Sequence, residues 1–349
     1  MQINISEAQL NKVSVHFVGN KGTGGELVTS KKSLGLGKEE LGIMKAGFLE
    51  RFNLEGDTYR FHHLSSLDYN EVYNYCLEAL AEGATFHKNS VNMAKHLYES
   101  TVHPKIRAGE LYVCHYENCL VNGAFVEAIG LYKTETKSHF IDLVNEGHDF
   151  QMSLREGVEV NKFDKGCLVF PTNAEQGFDV LIYDSNGKGE EAVFWRETFL
   201  SVQPQATEFY QTNQFMGMAK QFIAKQLPQE FTVEKTEQID LLNKSVEYFR
   251  GNEQFDKKKF EKEVFEDAAM VMAFRKFETS YSDEHDLELA DKFDISTQAV
   301  KKQARVFKSV LKLDKNFHVY IHGDKSLIEK GYDAALGKNY YKIYFDEEE

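Results

Sequence analysis

Proline is scarce in this chain, with four in 349 residues. A proline-rich or other low-complexity linker is therefore absent, and no internal repeat marks a solenoid. Three of the four (Pro104, Pro204 and Pro228) fall where apolar patterns start or stop, as residues that cannot continue a helix should. Cysteine is equally sparse. Cys76, Cys114, Cys119 and Cys167 are irregularly spaced, which fits buried thiols rather than a disulfide framework. No apolar run approaches the roughly 20 residues that a membrane helix needs. The opening MQINISEAQL lacks the basic start and apolar stretch of a signal peptide, so a cytoplasmic location with no membrane partner is expected. Positive charge is in deficit. Lys and Arg number 41 against 55 Asp and Glu, for a net charge of −14. The whole-molecule field repels polyanions, so any nucleic-acid role needs a local basic patch or a partner protein.

Several catalytic signatures are also missing. There is no GxxxxGK[ST], GxGxxG, GxSxG or HExxH, nor SxxK with its companion motifs. The Asn20–Glu26 loop is glycine-rich, but its spacing fits a hairpin loop rather than a phosphate cradle. No carboxylate pair sits in an apolar setting that would split its pKa values. A hydrolase or nuclease therefore finds no support, and a non-enzymatic protein without cofactor or metal is expected.

What is present suits a folded α+β protein. Hydrophobic content is 42% and charged content 28%, and the length allows two full cores. The stretch Glu110–Thr134 reads as two strands joined at Asn122-Gly123, the strongest short-range hairpin signal. A two-residue loop pairs Val121 with Ala124, Cys119 with Val126, His115 with Gly130 and Val113 with Tyr132. Both resulting faces are largely apolar, so this hairpin is expected in the middle of a sheet covered on both sides. Helical periodicity marks Lys38–Phe52, Tyr69–Glu82 and Ser90–Ser100, and then Gln205–Leu227, Thr236–Arg250 and Asp256–Thr279. Further strands are expected at Lys12–Gly19, His139–Val144, Gly166–Phe170 and Phe178–Tyr183, with a turn at Asp184–Gly189. Phe317–His322, Leu327–Gly331 and Asn339–Phe345 read as a small antiparallel sheet. The expected organisation is an α+β domain over residues 1–203, mostly antiparallel sheet with packed helices. A helical region with a small C-terminal sheet follows over 204–349.

Ligand-like clusters dissolve on inspection. Cys114 and Cys119 are five apart, so on a regular strand they point to opposite faces and cannot share a zinc without a bulge. His318 and His322, flanking Tyr320 on one strand face, are roughly 13 Å apart. His62-His63 has no third partner in sequence, and Asp283–Asp286 reads as a polar loop.

One segment departs from the acidic background. Thr297–Leu313 carries Lys301, Lys302, Arg305, Lys308 and Lys312, with no acid between Asp294 and Asp314. Read as one helix, it places Lys301, Arg305, Lys308 and Lys312 on one arc and Val300, Ala304, Phe307 and Leu311 on another. An anion-facing surface is the functional reading; a docked helix with solvated cations is the plain one. Leu287–Ser296 before it could make a helix-turn-helix, but the turn lacks the usual glycine.

Several stretches also resemble the bacterial nucleoid-associated protein family. They include His16–Lys21, Asn92–Ser100 with His103–Ile106, Gly109–Val113 and Ala128–Lys133. Tyr210–Thr212, Asp240–Phe249 and Ala299–Gly323 complete the set. The likeness runs nearly end to end and is strongest to the branch found in Bacteroidetes-type bacteria. It implies a place on the bacterial nucleoid, with chromosomal DNA reached directly or through a DNA-bound protein, and a homodimer is compatible with it. It transfers no catalytic or cofactor residues. The basic segment as the contact follows from spacing alone, and an adaptor that reaches the nucleoid only through a partner is the alternative.

Overall fold

Alternating apolar residues give the first part of the chain its strands. A computed structural model describes residues 1–185, 193–285, 287–307, 310–321 and 327–347. It divides into two compact units, Met1–Gln205 and Ala206–Glu349. The first unit contributes β1 (Ile3–Asn4), β2 (Gln9–Val18), β3 (Leu27–Thr29), β4 (Tyr59–Phe61), β5 (Gly109–Val121) and β6 (Ala124–Thr134). It continues with β7 (Ser138–Glu146), β8 (Asp149–Gly157), β9 (Lys165–Phe170), β10 (Asp179–Asp184) and β11 (Val202–Pro204). The main sheet is antiparallel, in the order β11-β4-β10-β9-β6-β5-β2-β3 with β1 on β5. The hairpin at Asn122-Gly123 therefore lies at its centre, and the glycine-rich loop simply joins β2 to β3. Two buried layers cover the sheet. The Glu71–Ala81 and Phe86–Ser100 helices and Trp195 pack with Val113, Ile129, Leu131 and Val169. Phe48, Leu49 and Phe52, at and just beyond the end of the Lys38–Leu49 helix, pack with Cys114, Tyr116, Tyr132 and Phe170 on the opposite face.

The hairpin tip forms as expected. Asn122 and Gly123 both have positive φ (50° and 84°), and the three pairs nearest the turn are Val121–Ala124, Leu120–Phe125 and Cys119–Val126. Beyond them the register slips. A bulge between Tyr116 and Cys119 pairs Tyr116 with Ala128, His115 with Ile129, Cys114 with Gly130 and Val113 with Leu131. Asn118, exposed and at φ 58°, absorbs the extra residue, and Asn tolerates this conformation better than most. The bulge corrects the opposite-faces expectation. Cys114 and Cys119 lie in the same buried layer, while His115 faces away and bonds Glu127 at 2.9 Å. No zinc site results. Among the described residues no group of three or more His, Cys, Asp or Glu could hold a metal ion. Burial pushes the Cys119 thiol up to about 11 and Cys114 higher still.

The second unit is built on phenylalanine. Phe215, Phe222, Phe249, Phe255, Phe260 and Phe274 form a buried cluster with Ile295, Val300 and Phe307. The expected long helices recur with altered ends. The first begins at Glu208 and takes a π-helical turn at Phe222–Gln226 just before Pro228. That wide turn accommodates a residue that cannot donate to a regular helix. The stretch expected over Asp256–Thr279 is two helices, Lys257–Val264 and Ala268–His285, broken where Glu266 adopts φ 56°. β12 (Gln254–Asp256) pairs with β13 (Lys292–Asp294). β14 (Val310–Leu313) pairs with β15 (Phe317–Tyr320), and β16 (Ile328–Asp333) with β17 (Lys338–Ile343). The C-terminal strands thus form separate two-stranded sheets rather than one. Lys308, His322, Asp286 and residues 186–189 of the expected turn lie outside the described residues.

Gly130 sits in β6 where a Cβ would come within 2.6 Å of the Tyr132 ring and 2.8 Å of the Tyr116 ring. Those two buried tyrosines share a 2.8 Å hydroxyl hydrogen bond. Gly130→Ala should therefore destabilise the protein by about 1–3 kcal/mol through overpacking, read as a lower urea midpoint at unchanged slope.

Buried His16 accepts the Ser30 amide at Nδ1 (3.2 Å), so its Nε2 carries the proton and donates to Ser90 Oγ (3.0 Å). Burial, and then the neighbouring His87, lower its pKa from 6.5 to about 4. The unfolded chain thus binds an extra proton between those values. The His16 contribution is complete above about pH 6.5 and is lost as pH falls toward 4. We expect urea-unfolding free energy to fall over that window by about 3 kcal/mol at most from this group. The slope should flatten in His16→Gln.

Candidate nucleic-acid interface

The basic segment begins with a well-formed helix start. Ser296 caps the Thr297–Ala304 helix by accepting the Ala299 amide. Ala299 and Val300 are buried, Val300 within the phenylalanine cluster, and Gln303 Nε2 donates to Asn213 Oδ1 at 2.8 Å on the Glu208–Gln221 helix. This docking turns Lys301, Lys302 and Arg305 outward, and all three are exposed. Lys302 Nζ lies 5.3 Å from the centre of the Phe209 ring, a cation–π contact that orients it without neutralising it.

The helix does not run to Leu313. It ends at Ala304 with Arg305 as its C-cap, and the chain then turns into β14. Two local causes compete successfully with the 3.6-residue pattern. Val306 and Val310 are β-branched, and the apolar Phe317–Tyr320 strand needs a partner. A three-residue turn, Asp314–Asn316, with Asp314 at φ 51°, brings β14 back along it, pairing Leu313 with Phe317 and Lys312 with His318. The continuous helical arc of cations is therefore corrected. Lys301, Lys302 and Arg305 share one exposed helix end, whereas Lys312 stands on a strand. Lys312 keeps company with His318 and Tyr320 on one exposed face of that hairpin, while buried Leu311 points the other way. The helix-turn-helix also gives way, since Lys292–Asp294 forms β13 rather than a helix.

These clustered cations carry no counter-charge: among the described residues, no carboxylate pairs with Lys301, Lys302, Arg305 or Lys312. Contrast the cleft lined by Asp256, Lys257, Glu261, Arg275, Asp291 and Lys292. There Arg275 grips buried Glu261 through two bonds of 2.9 and 2.6 Å, Lys257 meets Glu278 at 2.6 Å, and Lys292 meets Asp256 at 2.7 Å. That cluster neutralises itself and serves the fold. Lys133 and Lys165 do likewise. They are buried cross-strand neighbours, Lys133 on Glu135 and the Arg107 carbonyl, Lys165 on Asp184 at 3.2 Å. Burial lowers the Lys133 amine below the ordinary lysine range. Neither buried lysine stands out in sequence, because strand pairing alone makes them neighbours.

The stretches singled out by resemblance also meet in space. Asn20 Nδ2 donates to the carbonyls of His103 (2.9 Å) and Ile106 (2.6 Å), and Lys21 pairs with Glu99. Thr101 Oγ1 donates to the Gly19 carbonyl (3.1 Å) and accepts the Lys21 amide (3.0 Å). These bonds knit two of the recognised segments into one structural corner. No helix among the described residues is long and apolar enough to cross a membrane. No curated protein sequence matches the chain. The family model described as nucleoid-associated protein YejK matches residues 14–342, nearly the whole chain across both units, and this protein therefore belongs to that nucleoid-associated family.

Proposed function

We propose that this protein is a non-enzymatic nucleoid component that contacts DNA phosphates through the end of the Thr297–Ala304 helix, with Lys301, Lys302 and Arg305 as the contact residues. Lys312, beside His318 and Tyr320, extends the same chemistry along the β14–β15 hairpin, and Lys308 belongs to the same cationic run in sequence. The observation that carries this reading is the clustering of Lys301, Lys302 and Arg305 on one exposed helix end, with no carboxylate paired to them among the described residues, in a chain of net charge −14. Phosphate contact is electrostatic and carries no base information, so a nucleoid-wide, sequence-tolerant association is its natural outcome.

A second reading draws on the net charge itself. The chain acts as an adaptor that reaches chromosomal DNA only through a DNA-bound protein, and the acidic body, repelled by bare DNA, favours it.

Salt titration separates the two. Direct contact through three to five cations requires log affinity to fall with log salt at a slope between about −2.7 and −4.5, near −0.9 per neutralised phosphate. The triple reversal Lys301→Glu, Lys302→Glu and Arg305→Glu should weaken binding to purified duplex DNA at least tenfold at low salt. Its thermal unfolding should stay close to wild type, because all three side chains face solvent. Unchanged DNA affinity in the triple variant rejects the helix end as the contact. No binding of purified DNA by wild type, at any salt, assigns the adaptor role instead.

A further inference from the structure

The β7–β8 hairpin stands apart from the main sheet as its own two-stranded ribbon. Its register gives the two faces different characters. One face is mostly polar, holding Asp142, Glu146, Asp149, Gln151, Ser153 and Arg155 with Phe140 and Val144 among them, and is tied by an Asp142–Arg155 ion pair (3.1 Å) and a Gln151–Glu146 hydrogen bond (2.9 Å). The other presents Ile141 opposite Leu154, Leu143 opposite Met152, and Phe150 toward the tip. These five apolar side chains are between 59% and 70% exposed. A two-stranded ribbon is marginal alone in water, and monomers seldom show contiguous apolar patches beyond a few hundred Å². Polar groups of the first face bond one another, whereas the second face presents its five apolar side chains to water.

We infer that this apolar face is a self-association surface, packing face to face against the same hairpin of a second copy of this chain. Three features favour a copy over other occupants. The hairpin carries Asp142, Glu146, Asp149 and Glu156 against Arg155 alone, a net charge of −3 with its histidines neutral, which repels DNA and anionic lipid surfaces. Three of those acids lie on the polar face, so a basic partner would be drawn to the wrong side. The apolar face itself is uncharged except where Glu156 sits opposite His139 at its root. Two copies meeting there bring together no charged side chain other than Glu156 at the root. Burying the five side chains removes roughly 500 Å² per copy from water, about 1,000 Å² in all, which reaches the size of a specific reversible interface. A two-fold axis lying in the interface plane, parallel to the face, makes it self-complementary, with two ribbons stacked about 10 Å apart as in a sheet sandwich. The association is independent of the proposed DNA contact.

Sedimentation of the full chain across micromolar concentrations tests it. Wild type is expected to form a reversible dimer, and Leu143→Asp with Met152→Ser should weaken dimerisation at least tenfold. Far-UV circular dichroism should stay unchanged, because both positions are already in water in the single chain. A second measurement does not depend on that variant folding. Leu143→Cys should form an inter-chain disulfide under mild oxidation, whereas Val28→Cys, equally exposed on the β3 strand, should not. The native thiols are all buried and do not interfere. A wild-type chain that stays monomeric throughout overturns the inference and leaves the face to a different protein. A dimer that survives the double substitution, or cross-links no better through Leu143→Cys than through Val28→Cys, overturns it as well.

Discussion

The β5–β6 hairpin is buried on both faces, and the first unit is arranged around that demand. Its alternate residues must satisfy two layers at once, so neither set can be polar. The bulge at Glu117–Asn118 makes this work over the full length of the ladder. Without the extra residue, Cys119 and Val121 would exchange layers relative to Cys114 and Tyr116. Asn118 takes the strained backbone at an exposed position, where the local loss of ladder hydrogen bonds costs least. With the centre fixed, β2 and β9 pair on either side and bring the ends of β6, β9 and β10 together. The buried Lys133 and Lys165 follow from that pairing and are stabilised only because an acid meets each of them.

Several cations in this protein are held by internal pairing. Lys257, Lys292, Arg275, Lys133 and Lys165 all find carboxylates within their own fold. The cations of the Thr297–Ala304 helix are held differently. Its apolar side is held by the phenylalanine cluster, so its cations cannot turn inward, and among the described residues no carboxylate pairs with them. Screening makes this local cluster meaningful. At physiological salt, charges beyond about 8 Å are largely screened. A small basic surface on an acidic body is then felt at contact range, while the net charge still opposes loose, non-specific accumulation on DNA.

The two exposed ribbons show opposite uses of a simple hairpin. In β14–β15 the outward face mixes Lys312 and His318 with Tyr320, while Leu311 anchors the ribbon to its core. In β7–β8 polar side chains bond one another on one face, which also carries Phe140 and Val144, and five apolar side chains are left in water on the other. The difference is that β14–β15 has one partly buried face, whereas β7–β8 is exposed on both.

Much of this was written in local sequence. The 3.6-residue periodicity located most of the helices, because their apolar stripes must face a core wherever that core lies. Asn122-Gly123 determined the hairpin tip, since the turn needs two positive φ angles whatever surrounds it. The distributed likeness determined the family without any single motif. Other features depended on contacts distant in sequence. The bulge answers two layers built from remote helices. Phe150, Met152 and Leu154 alternate plainly enough to mark β8, but only their pairing with β7 reveals a solvent-exposed ribbon with five apolar side chains on one face. The segment after Ala304 has a helical pattern in isolation and forms a strand because Phe317–Tyr320 offers it a ladder. Sequence alone determined that a cationic run exists in an acidic chain. Tertiary structure decided that it is split between a helix end and a strand, because backbone hydrogen bonding to a partner outweighs amphipathic periodicity when a strand lies within reach of a three-residue turn.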